Sequence, residues 1–144
     1  MELSFLTTII LFLSHVSYGI CLIAFRQQWV GVKGKLACNN KPLEGAVVRL
    51  WDKNLVGPDI LLGETKSDVN GVYEAIGGLQ SVFPLNVHLR ISHECDDRMI
   101  PCMRTVDLNV PSKYVSRGPE LETWLDAGQM NMAFRYPDET RVCN

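Results

Sequence analysis

The stretch Trp29–Asp52, WVGVKGKLACNNKPLEGAVVRLWD, constrains the fold more than any other part of the chain. Val30, Val32 and Leu36 fall on one side of an extended backbone and Lys33 and Lys35 on the other, the two-residue period of a half-buried strand. Ala46, Val48 and Leu50 repeat the pattern. Asn39, Asn40 and Pro42 lie between, and they suit a turn because Asn tolerates left-handed dihedrals while Pro presets φ and removes a ladder donor. The stretch therefore reads as two strands joined as the first hairpin of a sandwich. The same parity sets Trp51 opposite the inward residues, an aromatic on the outer face and a candidate interface residue.

Beyond Asp52, strand and turn signals alternate. Asp52–Asp59 is turn-rich, and Leu61–Ser67 reads as a strand. Asp68-Val69-Asn70-Gly71 reads as a tight turn before the strand Val72–Ile76. Its likeness to the start of a calcium loop fails at position 12, where Leu79 stands instead of Glu. Leu85–Ser92 is the strongest alternating segment, with Leu85, Val87, Leu89 and Ile91 inward and Asn86, His88, Arg90 and Ser92 outward. Arg104–Val110 alternates likewise, with Val106, Leu108 and Val110 inward and Pro111 ending the run. Trp124–Ala127 and Met130–Tyr136 read as the last strands, with Met130, Met132 and Phe134 on one side. The expectation is an all-β, antiparallel β-sandwich of about seven or eight strands.

Leu3–Val16 is an apolar run followed by the small residues Ser17 and Gly19, so residues 1–19 read as a secretory signal peptide. The run falls short of the ~20 residues that a spanning helix needs, and no transmembrane anchor is expected in the mature chain. Residues 20–28 form a lead-in segment and residues 29–144 a single domain. Glu2 is the one charge lost with the signal, leaving 14 basic and 15 acidic residues. Near-neutral and scattered charge implies no nucleic-acid partner.

Cys21 lies beside the expected cleavage site, which leaves Cys38, Cys95, Cys102 and Cys143 as an even set in a secreted chain. Four cysteines allow three pairings; the one expected is Cys95 with Cys102 and Cys38 with Cys143. Loop-closure entropy assigns about 2.5 kcal/mol to the short clip and about 5 kcal/mol to the long one. His93 and Cys95 could share a face, with Asp96 and Cys102 nearby, but secreted cysteines at this spacing more often oxidise than bind zinc. No metal or other cofactor is expected. Glu94, Asp96 and Asp97 read as a solvated loop. His88 and Arg90 join Trp51 as candidate interface residues.

Several pieces in order resemble the nematode transthyretin-like proteins: Gly31-Val32-Lys33-Gly34-Lys35-Leu36 with Cys38, Lys41-Pro42-Leu43-Glu44-Gly45, and Thr65 with Asp68 and Gly71. Cys95-Asp96, Pro101-Cys102, Pro111-Ser112-Lys113-Tyr114-Val115-Ser116 and Gly128 continue the match over residues 29–144. The resemblance implies a secreted transthyretin-like (prealbumin-like) sandwich. One branch of the wider superfamily hydrolyses 5-hydroxyisourate with a site that resembles histidines, an arginine and a C-terminal Tyr-Arg-Gly-Ser. Here the chain ends Tyr136-Pro137-Asp138-Glu139-Thr140-Arg141-Val142-Cys143-Asn144, and the first strand has no His. His88 and His93 sit at odd spacing on one strand and so face opposite ways, which leaves no catalytic constellation. The expected function is an extracellular binding or adaptor module for a small apolar ligand, a lipid or a cell-surface protein, with oligomerisation possible. The alternative is a structural or surface component without a discrete ligand.

Overall fold

The structure, a computed structural model, describes residues 7–13 and 25–143. Residues 7–13, within the apolar run, are helical. The cleavage region and Cys21 lie outside the described residues. No described helix is long and apolar enough to cross a membrane.

The expected sandwich is present. Its ten strand segments are β1 (Arg26–Cys38), β2 (Lys41–Pro42), β3 (Val47–Asp52), β4 (Ile60–Lys66), β5 (Val72–Ser81), β6 (Val87–His93), β7 (Met103–Asn109), β8 (Val115–Arg117), β9 (Trp124–Asn131) and β10 (Thr140–Val142). Seven of them run six residues or longer, in keeping with the number expected. Between β7 and β8, Ser112–Tyr114 forms one 3-10 turn. One sheet is built on β1, which pairs antiparallel with β5, β2 and β8 and parallel with β9. The other has the order β10-β7-β6-β3-β4, all antiparallel.

The first departure concerns the opening stretch. β1 and β3 do not form a hairpin; they belong to opposite sheets. β1 turns through Asn39, whose φ is 55°, into the two-residue β2, and the chain then crosses over at Gly45, whose φ is 77°. The reason is burial. Val30, Val32 and Leu36 of β1 and Val48 and Leu50 of β3 are all fully buried, and two such faces exclude more water packed against each other than laid side by side in one sheet. Ser67 secures the crossover, its hydroxyl donating to Leu43 O at 2.6 Å and accepting from Ala46 N at 3.0 Å.

The Asp68–Gly71 turn forms as expected. Asp68 Oδ1 accepts the amides of Asn70 and Val72 at 2.9 and 2.8 Å. Gly71 has φ 76°, and a Cβ there would lie 2.1 Å from Leu36 O. Along the two strands that this turn joins, Gly63 of β4 faces Ile76 and Gly77 of β5 so closely that a Cβ on Gly63 would meet Ile76 O at 2.1 Å. The two sheets close there by backbone contact.

The end of the chain also departs from expectation. β9 is one continuous strand from Trp124 to Asn131, bulged against β1 between Lys33 and Lys35 near Gly128, whose φ is 65°. Met130 and Met132 are buried as their parity requires, but the strand stops at Asn131 and Phe134 is 65% exposed. Asn131 ends it by taking the amides of Asn39 and Ala133 on its side-chain oxygen, at 3.0 and 3.1 Å.

The disulfides are Cys38–Cys95 and Cys102–Cys143, so the expected pairing of Cys95 with Cys102 and Cys38 with Cys143 is corrected. The β6–β7 loop passes through left-handed dihedrals at Asp96, Arg98 and Met99. Cys95 is turned into the core, where it meets the end of β1 across the sandwich. Cys102 lies one residue before β7, and the register Val142↔Met103 brings Cys143 alongside it. Sequence proximity favoured the local clip, but the loop separates its two cysteines between the inside and the edge of the sheet.

Candidate functional site

The outer face of the β10-β7-β6-β3-β4 sheet gathers the three interface residues expected from the sequence. Trp51 of β3 stands directly opposite His88 of β6, and Arg90 of β6 lies directly opposite Asp107 of β7. The Arg90 guanidinium carbon sits 5.4 Å from the Trp51 ring centroid, a cation–π contact on a partly buried indole. The Trp51 Nε1 atom is buried and has no hydrogen-bond partner.

Two further residues complete the cluster. Asp107 Oδ1 bonds His88 Nδ1 at 2.6 Å, and its Oδ2 accepts from Arg90 Nε and Nη2 at 3.2 and 3.0 Å and from Lys53 Nζ at 3.1 Å. Burial pushes the Asp107 carboxyl up, but the hydrogen bonds from His88, Lys53 and Arg90 outweigh it and hold the group below the usual carboxylate range. One carboxylate thus orients three basic side chains. Lys53 follows β3 and signals nothing by itself; Asp107 reads as one more outward residue of an alternating strand. Only the strand register shows that they converge.

The register also sets Arg49 of β3 directly opposite Arg90, two like charges that oppose sheet formation. Each is countered by a carboxylate on its far side, Glu64 for Arg49 and Asp107 for Arg90. Beside this row opens a groove of about 440 Å³, lined by Lys53, His88, Arg90, Thr105 and Asp107 and bounded by Asp138, Thr140 and Val142. Seven of these eight residues carry polar or charged groups, so the groove offers hydrogen bonds and charge beside the carbon surface of their stems.

His93 faces the other way, as its spacing from His88 requires, and is 1% exposed. Its Nδ1 accepts the amide of Cys95 at 3.2 Å, and its Nε2 is buried without a partner. The zinc arrangement is absent here because Cys95 is oxidised and only its backbone meets the imidazole. Of the acidic loop, Asp97 is buried and ion-paired with Arg141, while Glu94 and Asp96 are exposed.

Burial first, then the Arg104 charge, push the His93 imidazole down to about 4. An unfolded imidazole titrates near 6.5, so between these values the unfolded chain binds a proton that the native chain does not. Stability is therefore full above pH 6.5 and falls as the pH drops toward 4, by about 3 kcal/mol. Urea unfolding at pH 7, 5 and 4 is expected to show this slope, and His93→Gln should remove it from that window. An unchanged slope in the variant would refute the assignment.

The sequence also conceals Arg104, which shares the inward parity of Val106 and is 4% exposed. Its Nε and Nη2 form a fork on Glu139 at 2.7 and 2.9 Å. Nη1 donates to the carbonyls of Cys95 and Met132 at 2.8 and 3.0 Å, and Nη2 to that of Phe134 at 2.9 Å. The hydrogen bond from Arg104 lowers the Glu139 carboxyl despite its partial burial. This network organises the chain's last segment beneath the sheet. It lies on the opposite side from the outer cluster.

A family model named TTR-52 and described as Transthyretin-like family matches residues 33–111. Among curated relatives, Transthyretin-like protein 5 of Caenorhabditis elegans is 35% identical, covering 94% of this chain and 97% of its own. Transthyretin-like protein 33 of the same organism is 38% identical over 81% and 82% of the two chains. Transthyretin-like protein 2 is 33% identical over 82% and 84%. With the sandwich and both disulfides in place, these matches establish that the chain belongs to the transthyretin-like family found in nematodes.

Proposed function

We propose that the protein is a secreted, non-catalytic binding module of the extracellular space, and that its binding face is the outer sheet surface around Trp51, Lys53, His88 and Arg90. The carrying observation is the like-charged pair Arg49 and Arg90 set side by side, with Lys53 and His88 added at one carboxylate. Such a pair works against the sheet's own stability, and the core does not require it. The apolar leader and the two disulfides support an oxidising, extracellular setting. The charged side chains gathered on this open sheet face, with the Trp51 indole among them, favour a protein partner over a small apolar ligand.

The test is a pull-down with the oxidised protein against extracellular material and lipid extract, comparing wild type with Arg90→Glu and Trp51→Ala. Saturable capture of a protein, weakened at least about tenfold by Arg90→Glu, is the expected result. Capture indifferent to both substitutions would move the binding face elsewhere. No turnover of 5-hydroxyisourate is expected; robust turnover abolished by His88→Ala would overturn the non-catalytic reading.

A further inference from the structure

We infer that the groove beside the β2–β3 crossover binds a small aromatic amino alcohol, its ammonium at the acidic rim and its hydroxyl turned inward to His93. This is a second site, apart from the outer sheet face. The groove holds about 430 Å³, within the range of small-molecule sites. Its walls are the crossover, residues 43–46, and the end of β6 running on into Cys95 and Asp96; the Cys38–Cys95 bridge ties them together.

Three features define the ligand. Glu44, Glu94 and Asp96 are exposed along the rim, and no lysine or arginine lines the groove. Among the described residues none of these carboxylates is ion-paired, and the buried Arg104 nearby is already committed to Glu139. The rim therefore carries negative charge that a cation would offset. Among the described residues no three carboxylate, imidazole or thiolate groups converge on one point, so this spread charge suits an organic ammonium better than a metal ion.

His93 lines the same groove but is 1% exposed, which puts it at the deep end. Its Nδ1 accepts the Cys95 amide, so the proton of the neutral ring is on Nε2, a buried donor with no acceptor among the described residues. A ligand hydroxyl would accept it. Leu43, Ala46, Met103 and the bridge sulfurs add apolar surface, and sulfur makes favourable contacts with an aromatic ring. Met103, partly exposed and unbranched, is the wall that yields to let the hydroxyl reach the imidazole. A protein's lysine fits less well, because it would enter ammonium first and set a donor against the His93 donor.

The probe is phenylethanolamine, titrated calorimetrically into the oxidised protein at pH 7. Saturable binding is expected, weakened at least about tenfold by N-acetylation, which removes the charge, and about tenfold in phenylethylamine, which lacks the hydroxyl. Glu44→Gln combined with Glu94→Gln should weaken it at least about tenfold. In His93→Phe the two amines should bind alike, and a loss of stability cancels because both meet the same variant. In the wild type, the His93 Nε2 proton resonance should shift as the probe is added. The inference is overturned if binding does not saturate, if the N-acetylated form binds as well, if the His93 resonance stays put or if the hydroxyl preference survives in His93→Phe. Displacement of the probe by an equal concentration of calcium chloride or of a capped lysine dipeptide would also overturn it, by assigning the groove to a divalent cation or to a protein's lysine.

Discussion

Replacing Arg104 with Met is expected to destabilise the protein by about 3 to 5 kcal/mol, the range for removing one partner of a buried ion pair. The guanidinium satisfies both Glu139 oxygens and the carbonyls of Cys95, Met132 and Phe134. Its loss leaves a half-buried carboxylate without a counter-charge and three carbonyls short of a donor. Lysine cannot reproduce the fork, so Arg104→Lys should recover only part of the loss. Arg104→Met combined with Glu139→Met should be more stable than Arg104→Met alone, since the stranded charge goes as well. Urea unfolding of the three variants at pH 7 measures this, and a cost under about 1 kcal/mol for Arg104→Met would refute the network's role.

Removing the Cys38–Cys95 bridge by paired substitution to Ala should cost about 4 kcal/mol, the loop-closure value for a sequence separation of 57. The Cys102–Cys143 bridge closes a separation of 41, and the same relation again gives about 4 kcal/mol. The two losses should differ in kind. Cys38 and Cys95 join the sheets through the buried end of the core, so their removal is expected to loosen the whole sandwich. Cys102 and Cys143 hold β10, whose residues are all exposed, and their removal should raise amide exchange first in Thr140–Val142 and Met103–Thr105. Mass mapping under non-reducing conditions should recover the linked pairs 38–95 and 102–143. Finding a 95–102 link in the folded protein would contradict this arrangement.

The alternation of β3, β6 and the inward half of β7 was legible because each strand carries its own two-residue pattern, which no neighbour needs to supply. The same parity placed Trp51, His88 and Arg90 outward. It did not show that they touch, since contact depends on the registers Trp51↔His88 and Arg90↔Asp107, which join residues far apart in the chain. Asp107 was visible only as a polar position. The pattern gave no sign of Arg104's burial, because a charged residue ordinarily signals solvent, and only the carboxylate and carbonyls brought by the returning chain make it tolerable. Phe134 misled in the opposite sense: an apolar residue at the right parity is exposed once Asn131 ends the strand.

By itself the sequence determined the all-β class, the inward and outward faces of most strands, the tight turn at Asp68–Gly71 and the family resemblance. Each of these depends on local dihedral preference, short-range hydrogen bonding or an ordered series of residues. The tertiary structure decided which sheet each strand joins, which cysteines meet and which charges converge. β1 and β3 satisfy the alternation equally well as hairpin neighbours or as facing layers, and only the burial of both apolar faces in one core separates the alternatives. Cysteine pairing follows from that choice, because stacking the sheets carries the end of β1 to Cys95 and leaves the chain terminus to close on Cys102.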